Sequence, residues 1–260
     1  MRSTPRVDPT RRTALASVLG LAAAACQAAP ATAQKAAPMT TEPIAAGSLS
    51  ARQQSIVPIA AFAAGGDIAR LHAALHRGLD TDLSVNELKE ILVQVYAYAG
   101  FPRSLNALGE LMKVLEARRQ RGVRDREGPL PSRRVAQGEA LLAAGTANQT
   151  KLSGAPVRGP LFDFAPAIDE FLKTHLFGDL FERDNLDWQS RELATLGMLS
   201  ALTGAESQLQ AHMRIAMNVG LGATQLEQLG QVLETRVDAE AARRAREALG
   251  RQLAAARSGG

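Results

Sequence analysis

Two ionisable residues, Glu192 and His212, stand where the chain could move a proton. Glu192 shares a helical face with Thr195, Leu196 and Leu199, and His212 shares one with Leu209, Met213 and Ala216, so both are expected to point into an apolar interior. A carboxyl and an imidazole held together away from water exchange protons as one coupled unit, which general acid/base catalysis requires. If residues 192–203 and 206–219 pair as an antiparallel hairpin, the two differ in axial height by roughly 8 Å at about 1.5 Å per residue, so a bridging water or substrate is as reasonable as direct contact. The competing reading makes His212 a core histidine bonded to a backbone carbonyl, with Glu192 paired to Arg183 or Arg191.

Thiol and metal chemistry have little to stand on. The one cysteine, Cys26, closes an apolar run from Ala14 to Ala25 that follows Arg2, Arg6, Arg11 and Arg12 and precedes Ala31-Thr32-Ala33. Charged, apolar and small-residue segments in that order read as a signal peptide over residues 1–33, too short for a comfortable permanent span. The expectation is a periplasmic or secreted protein with no membrane span after cleavage, exported through the general or the twin-arginine route. An alternative makes Cys26 the lipid-bearing first residue of a lipoprotein; in neither case does a free thiol remain. His72 and His76 lie four apart, but no acid between them completes a His-Glu-x-x-His pattern, and no metal or cofactor is expected.

The elements that must position these residues are helices. From Leu49 onward apolar residues recur with a period near 3.6, broken by Gly and Pro, with no sustained alternation, so the fold class is all-α, a packed helical bundle. Helices near 87–98 and 206–219 present Leu88, Ile91, Leu92 and Val95, and Leu209, Met213 and Ala216, to a core. The chain also repeats itself. Arg52-Gln53 aligns with Arg191-Glu192, Gly65 with Gly204, Asp67 with Glu206, Gly78-Leu79 with Gly220-Leu221, and Ser84-x-x-Glu87 with Thr224-x-x-Glu227, the last two read as capping boxes. This divides the chain into a tether over 34–48, a first copy over 49–118, an Arg-rich linker and lead-in over 119–160, and a second copy over 161–250. The arginines from Arg118 to Arg134 are expected to be solvated, because so dense a like-charge run resists burial. Without residues 1–33 the excess of basic over acidic residues nearly vanishes, and with no aromatic-interleaved basic patch nucleic-acid binding is not expected.

The strings Tyr96-Ala-Tyr98-Ala-Gly-Phe101-Pro102-Arg-Ser-Leu-Asn106 and Asp187-Trp-Gln-Ser-Arg191-Glu192-Leu, with His212 and Asn218-Val-Gly220-Leu, resemble the carboxymuconolactone decarboxylase family, which includes the alkylhydroperoxidase D type proteins. The resemblance runs from Leu49 to about Leu233 and implies an all-helical fold that assembles into rings, hence a homo-oligomer. The peroxidase branch uses a glutamate, two cysteines and a histidine; counted from Glu192, the cysteine positions fall on Gly204 and Ser207, so peroxidase activity is the least supported reading. The decarboxylase branch keeps an acid/base pair without thiols, which matches Glu192 and His212. The first copy has Gln53 in place of Glu192, and the second has Arg236 and Asp238 in place of Tyr96 and Tyr98. A composite site follows, with acid/base groups from the second copy and an aromatic wall of Tyr96, Tyr98 and Phe101 from the first, Asn106 as a polar contact, and Arg183 and Arg191 facing a developing anion.

The expected function is therefore acid/base chemistry on a small carboxylated, lactone or enolisable molecule, against a non-catalytic binding or scaffold protein on the same fold. Export predicts an N-terminus at Gln34; the intact mass of protein recovered from the periplasm checks it, and a lipid-modified species beginning at Cys26 would overturn it.

Overall fold

The computed structural model describes residues 47–258. The expected signal peptide and almost all of the tether lie outside the described residues. In chain order the helices are α1 (Ala51–Gly65), α2 (Ile68–Asp80), α3 (Val85–Ala99), α4 (Phe101–Gln120), α5 (Glu139–Ser153), the short α6 (Pro160–Phe164) and α7 (Pro166–Phe171). A π-helical segment, Leu172–Leu180, comes next, followed by α8 (Trp188–Ala201), α9 (Glu206–Asn218), α10 (Ala223–Arg236) and α11 (Ala239–Ser258). There is no strand among the described residues, and no described helix is long and apolar enough to cross a membrane.

Two helices are buried on every side. In α1 every residue from Ser55 to Ala64 is buried, and in α8 every residue from Ser190 to Ser200. A helix without a polar face belongs in the middle of a bundle, and these two pack on each other there. Their approach is close at Gly197, where a Cβ would sit 2.5 Å from the Val57 carbonyl oxygen. Around this crossing α3 pairs with α4 as α10 pairs with α11, α2 packs on α4 as α9 packs on α11, and each half lends a helix to the other: α3 lies against α8, and α10 against α1. Gly66 and Gly204 both adopt the left-handed conformation in the turns that send α1 into α2 and α8 into α9.

The capping boxes differ between the halves. Ser84 Oγ accepts from the Glu87 amide at 3.3 Å while Glu87 Oε2 accepts from the Ser84 amide at 2.7 Å, as expected. In the second half the cap stands two residues before Thr224: Gly222 precedes α10, and Gln225 returns to its amide at 2.9 Å. Thr224 and Glu227 are exposed.

Of the arginines expected to be solvated, Arg118 alone is a correction. Arg118 is buried, with Nη1 2.9 Å from Asp80 and Nη2 2.8 Å from Asp125. The carbonyls of Arg126 and Glu127 accept from the free amides of Val85 and Asn86 at the start of α3, both at 2.9 Å. Local acids and unpaired helix-end amides thus hold the strand of chain that like-charge repulsion alone would have released, while Arg119, Arg121, Arg124, Arg133 and Arg134 stay exposed. Farther along, α5 packs against the π-helical segment, and Leu152, Leu176, Phe177, Leu180, Phe181 and Ile215 form a second, smaller core that Tyr96, Tyr98 and Trp188 join.

Candidate active site

Polar residues at every fourth position give α3 a stripe unlike its apolar neighbours: Glu90, Gln94 and Tyr98. The facing stretch of α8 carries Arg191 and Thr195, again four apart, with Glu192 beside them. Arg191 is 0% exposed. Its guanidinium donates to Glu90 Oε2 at 3.1 Å, to Gln94 Oε1 at 3.2 Å and to the Arg183 carbonyl at 2.9 Å. The Gln94 amide nitrogen donates in turn to the Arg191 carbonyl at 3.1 Å and to Thr195 Oγ1 at 2.8 Å, so that carboxamide is fully used.

Glu90 also takes both nitrogens of the Arg183 fork, at distances from 2.6 to 3.1 Å, and Asn185 Nδ2 at 3.2 Å. Burial pushes the Glu90 carboxyl up, but the bonds from Arg183 and the charge of Arg191 outweigh it and hold the group below the usual carboxylate range. For Arg191 burial is the largest influence and lowers its pKa, with Glu90 opposing. Both arginines expected to face substrate are therefore committed to Glu90. Glu90 escaped the sequence reading because attention went to the apolar face of its helix; the four-residue spacing of Glu90, Gln94 and Tyr98 was the available signal.

One turn along, His212 Nδ1 meets Glu192 Oε2 at 2.8 Å. Direct contact is made despite the axial offset, because both side chains reach across the α8–α9 packing and Glu192 is 0% and His212 7% exposed. The competing reading had the histidine on a carbonyl and the glutamate on an arginine; neither pairing forms. Tyr98, from α3 in the other half, sets its ring edge-on to the His212 ring, with centroids 5.6 Å apart and planes at 75°. Its hydroxyl is shut off from solvent, and burial, followed by the charge of Glu192, pushes the phenol well above its ordinary pKa, with Thr195 and Arg191 opposing. Thr195 is near but already donates to the Arg191 carbonyl and accepts from Gln94, and the Tyr98 hydroxyl makes no well-formed hydrogen bond. Glu192 Oε1 and Arg191 Nε are likewise buried without a partner.

The other expected wall residues lie farther out. Tyr96 is half-buried and stacks on Phe101 at 4.7 Å with planes 7° apart, while Phe101 is 63% exposed. Asn106 is exposed on α4, whose inward face is Ser104, Ala107, Leu111 and Val114 instead, and it is not brought to the pair. His72 bonds Glu110 at 2.6 Å and packs edge-on to His76, and no cluster of three metal-ligating side chains occurs among the described residues.

An ionised Glu192 only accepts, which puts the imidazole proton on Nδ1 and leaves the Nε2 lone pair for a proton from elsewhere. The arrangement is an oriented base with a phenol beside it. A sequence model of the carboxymuconolactone decarboxylase family matches the chain twice, over residues 30–112 and 166–250. The chain belongs to that family. No curated protein matches it. Both matches contain candidate site residues, Tyr98 in the first and Glu192 and His212 in the second, whereas α5 and α6 fall between them. Gly204 is left-handed and exposed in the α8–α9 turn, a backbone that a cysteine would hold only under strain, and Ser207 is exposed nearby.

Replacing Glu90 by Gln leaves the buried Arg191 charge without its counter-ion and should cost about 3–5 kcal/mol at neutral pH. Because the Glu90 pKa is lower folded than unfolded, its stabilisation is complete above the unfolded value of about 4.3 and is lost as pH falls through the folded value. Urea midpoints of both proteins should differ by a constant amount from pH 7 to pH 5 and converge below about pH 4.

Proposed function

We propose that the protein is a cofactor-free acid/base catalyst acting on a small carboxylated, lactone or enolisable molecule, with Glu192 and His212 as its proton-transfer centre. The contact at 2.8 Å between two buried ionisable side chains carries the reading. Glu192 holds the imidazole in one tautomer, His212 Nε2 takes the substrate proton, and the Tyr98 hydroxyl, free of a partner within the chain, donates to the oxygen on which negative charge develops. A phenol kept protonated by burial suits that role. Arg183 and Arg191 serve the site at one remove by holding α3 on α8.

A binding or scaffold protein is the second reading, and one observation favours it: Glu192 and His212 are almost wholly shut off from solvent. Tyr98 and Ile215 both join the small core built by α5 and the π-helical segment, so that layer packs on the stretch of α3 and α9 carrying the pair. In the catalytic reading this layer must yield to admit substrate.

We also propose export, on the order of charged, apolar and small segments before Gln34, and a homo-oligomer. The latter is supported by apolar side chains left in water at helical spacing: Leu161, Phe164, Ile168 and Phe171 along α6 and α7, and Phe101, Leu105 and Met112 along α4. Light scattering should give a multiple of the protomer mass, reduced by Phe164→Glu; a monomer at every concentration rejects it.

For the chemistry, the purified chain is screened for turnover of small lactones and β-keto acids. His212→Gln should reduce kcat by a factor of about 100 or more with ligand binding and Tm nearly unchanged. Tyr98→Phe should lower kcat while leaving stability equal or slightly raised, because the hydroxyl it removes is buried without a good bond. A loss of stability in His212→Gln with no selective effect on rate sinks the catalytic reading.

A further inference from the structure

A cleft of about 800 Å³ opens between α5 and the segment from Pro156 to Lys173, away from the Glu192–His212 pair. Its position is fixed by a close approach of backbones. A Cβ on Gly145 would fall 1.7 Å from the Lys173 carbonyl oxygen, and one on Gly178 would fall 2.6 Å from the Leu141 side chain, so α5 and the π-helical segment are pressed together with no room to slide. One turn along α5 from Gly145, Gln149 faces this cleft, and Asp169 and Lys173 come from the other wall. Nine residues of π-helix are an uncommon local structure, and π-helical turns occur frequently at functional sites.

The polar groups lining the cleft are short of partners. Gln149 is 3% exposed, yet its carboxamide makes no hydrogen bond within the chain, although the amides of Asn148 and Gln189 elsewhere on this face are bonded. The Gln149 nitrogen and oxygen are not sealed from solvent, and the cleft that Gln149 lines is where they can find partners. Asp169 Oδ2 accepts from Lys173 Nζ, while Oδ1 is buried and unpartnered. Thr150 adds a hydroxyl that is unbonded within the chain. These groups present one acceptor-only oxygen, one amide that both donates and accepts, and one hydroxyl that does the same.

We propose that this cleft binds a neutral polyhydroxylated molecule of about monosaccharide size. Adjacent hydroxyls each donate and accept, so a vicinal diol can give one proton to Asp169 Oδ2, which keeps a second lone pair beside Lys173, another to Gln149 Oε1, and accept from Gln149 Nε2. Phe162, Pro156 and Val157 supply an apolar surface for the C–H face of such a ring. The charges balance: Lys173 is neutralised by Asp169, and Arg158 and Asp163 at the rim are one of each sign. With no net charge among these residues, the cleft gives neither an anion nor a cation an electrostatic advantage over a neutral molecule.

Isothermal titration and saturation-transfer NMR on the purified chain test this with myo-inositol and methyl α-glucoside as neutral probes, and benzoate and putrescine as charged ones. Saturable binding of at least one neutral probe is expected, weaker by about tenfold or more in Gln149→Leu and in Asp169→Asn. Gln149→Leu should melt at or above the parent temperature, since it removes an unbonded buried amide at nearly constant volume. Should that variant fold poorly, Thr150→Val gives the same readout at a partly exposed position. No saturable binding of either neutral probe, tighter binding of benzoate or putrescine, or affinity unchanged in the variants would each overturn the proposal.

Discussion

A guanidinium without water is the constraint to which the rest of this fold answers. Arg191 sits in α8, the helix buried on all sides, and its charge is tolerable only because Glu90, Gln94 and a backbone carbonyl surround it. Because those partners recur every fourth residue along α3, satisfying Arg191 leaves α3 one register on α8. In that register the next member of the stripe, Tyr98, arrives at the His212 ring. The chemistry-bearing residues thus inherit their geometry from an ion network that need not touch substrate.

The same network explains why a duplicated chain ends with one pair. The halves exchange helices across the α1–α8 crossing, so each potential site combines an outer helix of one copy with the central helix of the other. On the side of α3 and α8 that combination has a carboxylate, an imidazole and a phenol. On the side of α10 and α1 the corresponding groups do other work: Gln53 closes the capping box of α1, Arg236 bonds Gln54 at 3.0 Å, and Asp238 accepts from the Ala241 amide at 2.7 Å at the head of α11. The seventh residue of α2 is Ala74, where the seventh of α9 is His212. In that half these positions serve helix ends and packing.

The layer of α5 and the π-helical segment packs over the stretches of α3 and α9 that carry Tyr98 and His212. Of this layer α5 lies between the two stretches that match the family and the π-helical segment lies inside the second, and together they add a second core against α3 and α9. A cleft on this layer is lined by residues of a different chemistry from the buried pair. Within that layer the Gly145 and Gly178 contacts make α5 and the π-helical segment move together or not at all.

The sequence by itself determined the helical class, the doubling, and the burial of Glu192 and His212, because a 3.6-residue apolar period and glycines at matched spacing are properties of the chain read locally. It also marked Tyr98 through its motif. Which charge meets which was decided only in three dimensions. Arg183 and Arg191 went to Glu90 because a buried carboxylate from another helix lay within reach, and no spacing along the chain encodes that distance. Arg118 was drawn inward by Asp80 and Asp125, and Asn106 was turned outward by the packing of α4. The meeting of Glu192 with His212 belongs to the same class of fact: periodicity put both side chains inside, and only the crossing of α8 over α9 brought them to 2.8 Å.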